Sequence, residues 1–167
     1  MAYEEPNYEL IKSTGVYEIR YYRDRLAVQT LQASGEDSAF RRLFKYISGA
    51  NQSSEKIAMT TPVIQSEDGG GSVMHFFLPN SYSNQTAPLP KADNVKLVTV
   101  KGGFYAVIKY SGRSTNQSYL RQAALLRKRL DEDQVFIRSS SIMATYNGPF
   151  TPFFWRRNEA MYRVDWE

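Results

Sequence analysis

LAVQTLQASGEDSAFRRLFKYISG, residues 26–49, holds two periodicities back to back. LAVQTLQA reads as a strand. From Phe40 onward the apolar positions change spacing: Phe40, Leu43, Phe44 and Ile47 fall at i, i+3, i+4 and i+7, one stripe of a helix. Ser34 and Asp37 at the junction resemble a capping pair, and Gly49 is a natural stop. A strand that feeds a helix with one apolar stripe implies a helix laid on a sheet.

The second half repeats the order. FYAVIKY is a strand, SGRSTNQ supplies Ser114 and Gln117 as a capping box, and YLRQAALLRKRL is the helix. Tyr119, Ala123, Leu126 and Leu130 share one side of it, and basic residues fill its last turn, where the helix dipole favours them. TLQASGE echoes IKYSGRS, and KIAMT echoes SIMAT. Outward from these helices, VYEIRYY is the strand before LAVQTLQA, with Tyr17, Ile19 and Tyr21 on one face. KIAMTTPV and SVMHFFLP follow, separated by SEDGGG. In the second half VKLVTV comes first, joined by the turn KGG, and SSIMATY and NEAMYRVDW close the chain.

The order is therefore β-β-α-β-β, twice. It predicts an α+β fold: a twisted, curled, barrel-like sheet of eight antiparallel strands with two outer helices. The half-repeats span about residues 16–78 and 95–166, and the Pro/Asn-rich stretch 79–94 connects them within a single domain, 1–167. A chain of 167 residues is long enough to bury a real core as one domain.

Composition removes several chemistries. There is no Cys and one His, so Ser-His-Asp, Cys-His and multi-His metal sites cannot be built. His75 alternates with Val73 and Phe77 on a strand; a packed, hydrogen-bonded histidine is the simpler reading and a haem axial ligand the sharper one. Glu4-Glu5 and Asp131-Glu132-Asp133 read as solvated charge, and Gly69–Gly71 as a hairpin tip. A net charge of +4 with no Lys/Arg run longer than three is too mild for a nucleic-acid partner. No apolar run reaches a membrane span and the first residues lack a signal layout, so a soluble, cytoplasmic monomer is expected. With so few catalytic side chains, ligand binding gains over enzymatic activity.

Twelve Tyr, nine Phe and two Trp remain to be explained, and several crowd YNGPFTPFFWRRNEAM, residues 146–161. Flat apolar surface beside fixed positive charge complements a flat aromatic acid. The competing reading is that Phe150, Phe153, Phe154 and Trp155 cover one end of the sheet while Arg156 and Arg157 flank the last strand. Arg41 and Lys45, at i and i+4, add cations along the rim of the first helix.

EEPNYELIKSTGVYEIRYY, AFRRLFKYISGAN, EKIAMTTPV, FFLPNSY, YSGR and YNGPFTPFFWRRNE, in this order, resemble the SOUL haem-binding family over nearly the whole chain. The closing pattern departs from that family at Gly148, where a Pro is usual. The resemblance implies a pseudo-twofold sheet with two helices. It also implies non-covalent binding of haem (b-type) or a related porphyrin in a shallow apolar site, for buffering or transport. By position, Phe40, Leu43 and Phe44 would be the floor, with Lys45 meeting a propionate and Phe150, Phe153 and Phe154 contributed by the aromatic segment. The family's second propionate lysine is Thr151 here, for which Arg156 or Arg157 could substitute, and His75 does not match the position of an axial histidine. The alternatives are iron release from haem on the same pocket, or an effector-binding module for other hydrophobic ligands.

Overall fold

Each of the two helices lies on its own set of strands in the computed structural model, which describes residues 3–32, 38–67, 71–113, 115–147 and 156–167. The elements run β1 (Tyr8–Ser13), β2 (Glu18–Tyr22), β3 (Arg25–Gln32), α1 (Ser38–Ile47), β4 (Val63–Glu67), β5 (Ser72–Phe77), β6 (Lys96–Val100), β7 (Gly103–Tyr110), α2 (Asn116–Glu132), β8 (Ile142–Thr145) and β9 (Asn158–Arg163). The predicted α+β, antiparallel class holds, with nine strands among the described residues where eight were expected. The extra strand is β1, which pairs antiparallel with β2 from Tyr8↔Tyr22 to Ser13↔Glu18.

By its contacts the chain divides into two units. One comprises Asp24–Lys101 with the residues up to Glu5, the other Pro6–Arg23 with Gly102–Glu167. The first unit has strand order β6-β3-β5-β4 with α1; the second has β1-β2-β7-β9-β8 with α2. The doubling read from the sequence is visible here with one exchange. β2 pairs with β7, and β6 pairs with β3, so each half-repeat's first strand belongs to the other half's sheet. Setting β6-β3-β5-β4 beside β2-β7-β9-β8 matches the two rows strand for strand. The turn KGG therefore links two strands that do not pair with each other.

In the second unit, α2 buries Tyr119, Ala123, Leu126 and Leu130, the four residues its spacing predicts, against Ile19, Ala106, Ile108, Ala160 and Tyr162. Its N-cap is Thr115 rather than Ser114: Thr115 is in extended conformation and its hydroxyl accepts the Ser118 N–H at 3.1 Å. The acidic run after the basic turn is not all solvated charge. Asp131 and Glu132 complete the helix, and the Asp133 carboxylate accepts the Tyr17 hydroxyl at 2.6 Å. The expected cap of α1 at Ser34 and Asp37 falls outside the described residues, as do Asp68–Gly70 of the hairpin between β4 and β5.

In the first unit the buried face of α1 is rotated from the predicted stripe. Ala39, Leu43, Tyr46 and Ile47 are buried, packing with Val28, Met74, Phe76 and Leu78. Phe40 and Phe44 lie on the flank and stay 45% and 49% exposed. The helix thus carries a wider apolar arc than its sheet covers. No helix among the described residues is long and apolar enough to cross a membrane.

Candidate functional site: an uncovered aromatic face and a buried ion network

On α1, Phe40 and Phe44 are one turn apart and their rings stack, with centroids 6.1 Å apart and planes 15° from parallel. Phe40 also meets buried Phe76 of β5 edge-on at 5.0 Å. The pair is thereby anchored on one side and open on the other. Leu43, expected in the floor, is fully buried and supports the helix from behind instead of presenting surface. Arg41 and Lys45 are both exposed on the same helix. Arg42 points elsewhere: its guanidinium donates to Thr30 Oγ1 at 2.9 Å, Ser38 Oγ at 2.9 Å and the Leu31 carbonyl at 2.5 Å, tying the helix start to β3. Flat hydrocarbon beside two exposed cations suits a planar ligand bearing acids.

The predicted contributions of Phe150, Phe153 and Phe154 fall outside the described residues. The stretch that carries them is flanked by strand pairing in the second unit. Thr145 pairs with Asn158 at the end of the β8–β9 ladder, and the Tyr146 N–H donates to the Arg157 carbonyl at 3.3 Å. The Arg157 N–H donates to Asn147 Oδ1 at 2.5 Å, and the Arg157 guanidinium lies 3.7 Å from the centre of the Tyr146 ring. Arg157 is exposed and Arg156 half-buried.

Behind Tyr146 lies a feature that sequence reasoning missed. Arg20 of β2 is 2% exposed and Glu159 of β9 is 1% exposed, and they pair through two bonds of 3.1 and 3.0 Å. The rest of the guanidinium is also used. Nε donates to Glu18 at 2.9 Å, Nη1 to the Tyr22 hydroxyl at 2.9 Å, and Nη2 lies 2.8 Å from Glu18. The Tyr8 ring covers one face at 4.2 Å, Lys109 meets Glu18 at 3.3 Å, and the Tyr146 hydroxyl donates to Glu159 at 2.6 Å. Burial alone would lower the Arg20 pKa, but hydrogen bonds and charge from Glu159 outweigh it and hold the group above its ordinary value. A buried ionic group is tolerable only when its bonds are met, as they are here.

The same burial marks several tyrosines. Tyr17, Tyr46 and Tyr110 are each pushed up to about 12, mainly by burial, with Asp133 adding to the effect at Tyr17. Tyr146 is raised further, first by burial and then by the Glu159 charge. Raised phenol values mean that the stability these groups supply is complete below the unfolded value near 10 and is lost as pH rises toward 12. In a spectrophotometric titration these four phenols should stay protonated well past pH 10, the ordinary tyrosine value. A single step near pH 10 in the folded protein would refute this.

His75 is buried on β5, and its Nε2–H donates to Gln29 Oε1 at 2.8 Å, the packed and hydrogen-bonded histidine of the simpler reading. No group of three or more His, Cys, Asp or Glu among the described residues is placed to hold a metal ion.

Residues 3–163 match the family described as SOUL heme-binding protein. The chain belongs to the SOUL family. Heme-binding protein 1 of Sus scrofa is 28% identical over 129 residues, covering 72% of this chain and 67% of the pig protein. Among solved structures, the EcmrR C-terminal domain superposes with a TM-score of 0.67 at 9% identity, covering 95% of this chain and 98% of that one. A hydrolase from Listeria innocua gives a TM-score of 0.63 at 7% identity, covering 90% and 92%. At such identities the likeness extends to the fold alone. Membership in the SOUL family supports tetrapyrrole binding as the general activity.

Proposed function

We propose that the chain binds haem or a closely related porphyrin non-covalently, as a buffer or carrier, with the macrocycle against the Phe40–Phe44 face of α1. Arg41 and Lys45 would meet its carboxylates. The observation that supports this most directly is the stacked, half-exposed Phe40–Phe44 pair on a helix whose other apolar residues are buried. A chain that spends two phenylalanines on water at the flank of a packed helix gains nothing in folding from the exposed halves. The resemblance offers Arg156 or Arg157 as a substitute for the family's second carboxylate-binding lysine, and charge reversal at Arg156 tests that separately.

The test is a haemin titration followed by visible absorption, run beside protoporphyrin IX. Saturable one-to-one binding with a shifted Soret band is expected for both. An unshifted, non-saturating spectrum would leave the aromatic face structural. Metal-free porphyrin accumulating from bound haem would move the reading to an iron-releasing enzyme. Effective competition by cationic dyes would move it to an effector-binding module.

A further inference from the structure

We infer that the exposed face of α2 is a docking surface for an anionic lipid bilayer, with Leu120 and Leu125 settling into the interface and Arg121, Arg127 and Lys128 meeting lipid phosphates. This surface belongs wholly to the second unit, and it does not depend on what the Phe40–Phe44 face of the first unit binds. Charge carries the first part of the case. Between Asp93 and Asp131 the sequence holds no acidic residue, and α2 lies in that interval up to its last turn. A solvated helix is ordinarily laced with pairs of opposite charge one turn apart. Here Arg129 reaches Glu132 at 3.8 Å, while Arg121, Arg127 and Lys128 have no ion-pair partner among the described residues.

Exposure carries the second part. The helix already buries Tyr119, Ala123, Leu126 and Leu130 against its sheet, yet Leu120 is 53% and Leu125 39% exposed. Ala124 is exposed between them, so the outer arc interleaves short apolar groups with long cationic ones. Lys and Arg stems reach past leucines to a layer of phosphates, while the leucines rest at the acyl boundary. Nucleic acid would use the cations and leave the leucines in water, whereas an anionic bilayer uses both. Each basic residue at such a surface is worth about a fivefold change in affinity, so three give a reversible hold. For a carrier of an amphiphilic ring, that hold places the molecule where the ring dissolves.

The experiment is co-sedimentation of the ligand-free chain with vesicles of phosphatidylcholine alone or of phosphatidylcholine with phosphatidylserine. The wild type should bind the serine-containing vesicles, release them at high salt and ignore the neutral ones. Arg121→Glu with Lys128→Glu should weaken binding by about 25-fold or more. Leu120→Ser with Leu125→Ser should weaken it as well, and Arg41→Glu with Lys45→Glu, on α1, should leave it near the wild-type value. All of these positions are exposed, so the variants should keep the wild-type circular dichroism spectrum. Should the charge-reversed helix fail to fold, Arg121→Gln with Lys128→Gln must still lower the affinity. Wild-type protein that stays in the supernatant, or that binds both vesicles equally, would overturn the inference. So would loss of binding on reversing charge in α1 but not in α2. An unchanged affinity in the leucine variant would reduce the face to a general polyanion site and overturn the bilayer as its partner.

Discussion

Replacing Arg20 with methionine should cost about 3–5 kcal/mol of stability, the penalty for leaving a buried charge without its partner. Glu159 would keep its place behind Tyr146 with both Arg20 bonds gone, and Glu18 and the Tyr22 hydroxyl would lose a donor as well. The pair's net contribution is a different quantity. Two charges withdrawn from water recover through their attraction only part of what desolvation costs, so apolar residues of similar size can replace both with little loss. The double variant Arg20→Met with Glu159→Leu should therefore be less damaged than Arg20→Met alone. Urea unfolding of both gives the answer, and a double variant as unstable as the sum of its parts would show that the network does not act as a unit. Acid behaviour offers a second check. Burial would raise the Glu18 pKa, but its bonds and attraction to Arg20 and Lys109 outweigh burial and hold it below the ordinary carboxylate value of 4.5. A depressed carboxylate stabilises the fold above that value and stops doing so as pH falls through the lower folded one. In Arg20→Met the loss should begin at a higher pH.

The location of this network explains why it was illegible in the sequence. In VYEIRYY the alternation of Tyr17, Ile19 and Tyr21 suggests one buried face, with Glu18 and Arg20 toward water. Tyr17, Ile19, Arg20 and Tyr22 are buried, whereas Tyr21 is exposed, so the strand is covered on both faces and the period-2 rule cannot tell which. The available clue was Arg20 among aromatics, matched far along the chain by Glu159 between Asn158 and Ala160. β1 escaped for the opposite reason: nearly all of it is exposed, so it has no alternation to read. Local periodicity was reliable where the partner surface was broad, as with the four buried residues of α2. The β-β-α-β-β order was legible for the same reason. The exchange of β2 and β6 was not, because strand pairing is decided by residues distant in sequence. At the candidate site, helical spacing grouped Phe40, Leu43 and Phe44 and the resemblance implied a floor made of all three, and only packing could separate the two exposed rings from buried Leu43.

That separation sets up the largest expected effect on binding. A phenylalanine exposes on the order of 200 Å² when fully open, so covering the free half of Phe44 with a macrocycle removes about 100 Å² from water, worth about 2.5 kcal/mol. Phe44→Asp should therefore weaken haem or porphyrin binding by about 50-fold or more, since it also sets a carboxylate against the apolar ring system. Its cost to folding should be small, because the ring already stands half in solvent and its helical neighbour Phe40 retains the contact with Phe76. Leu43→Ala is the complementary experiment. It empties a fully buried site and should lower stability by about 2–5 kcal/mol while leaving the affinity of the folded molecule near the wild-type value. Titration and denaturation of the two variants would thus give opposite patterns. If Leu43→Ala abolished binding in the folded protein while Phe44→Asp did not, the ligand would have to enter beneath α1, and the exposed aromatic pair would not be the surface that receives it.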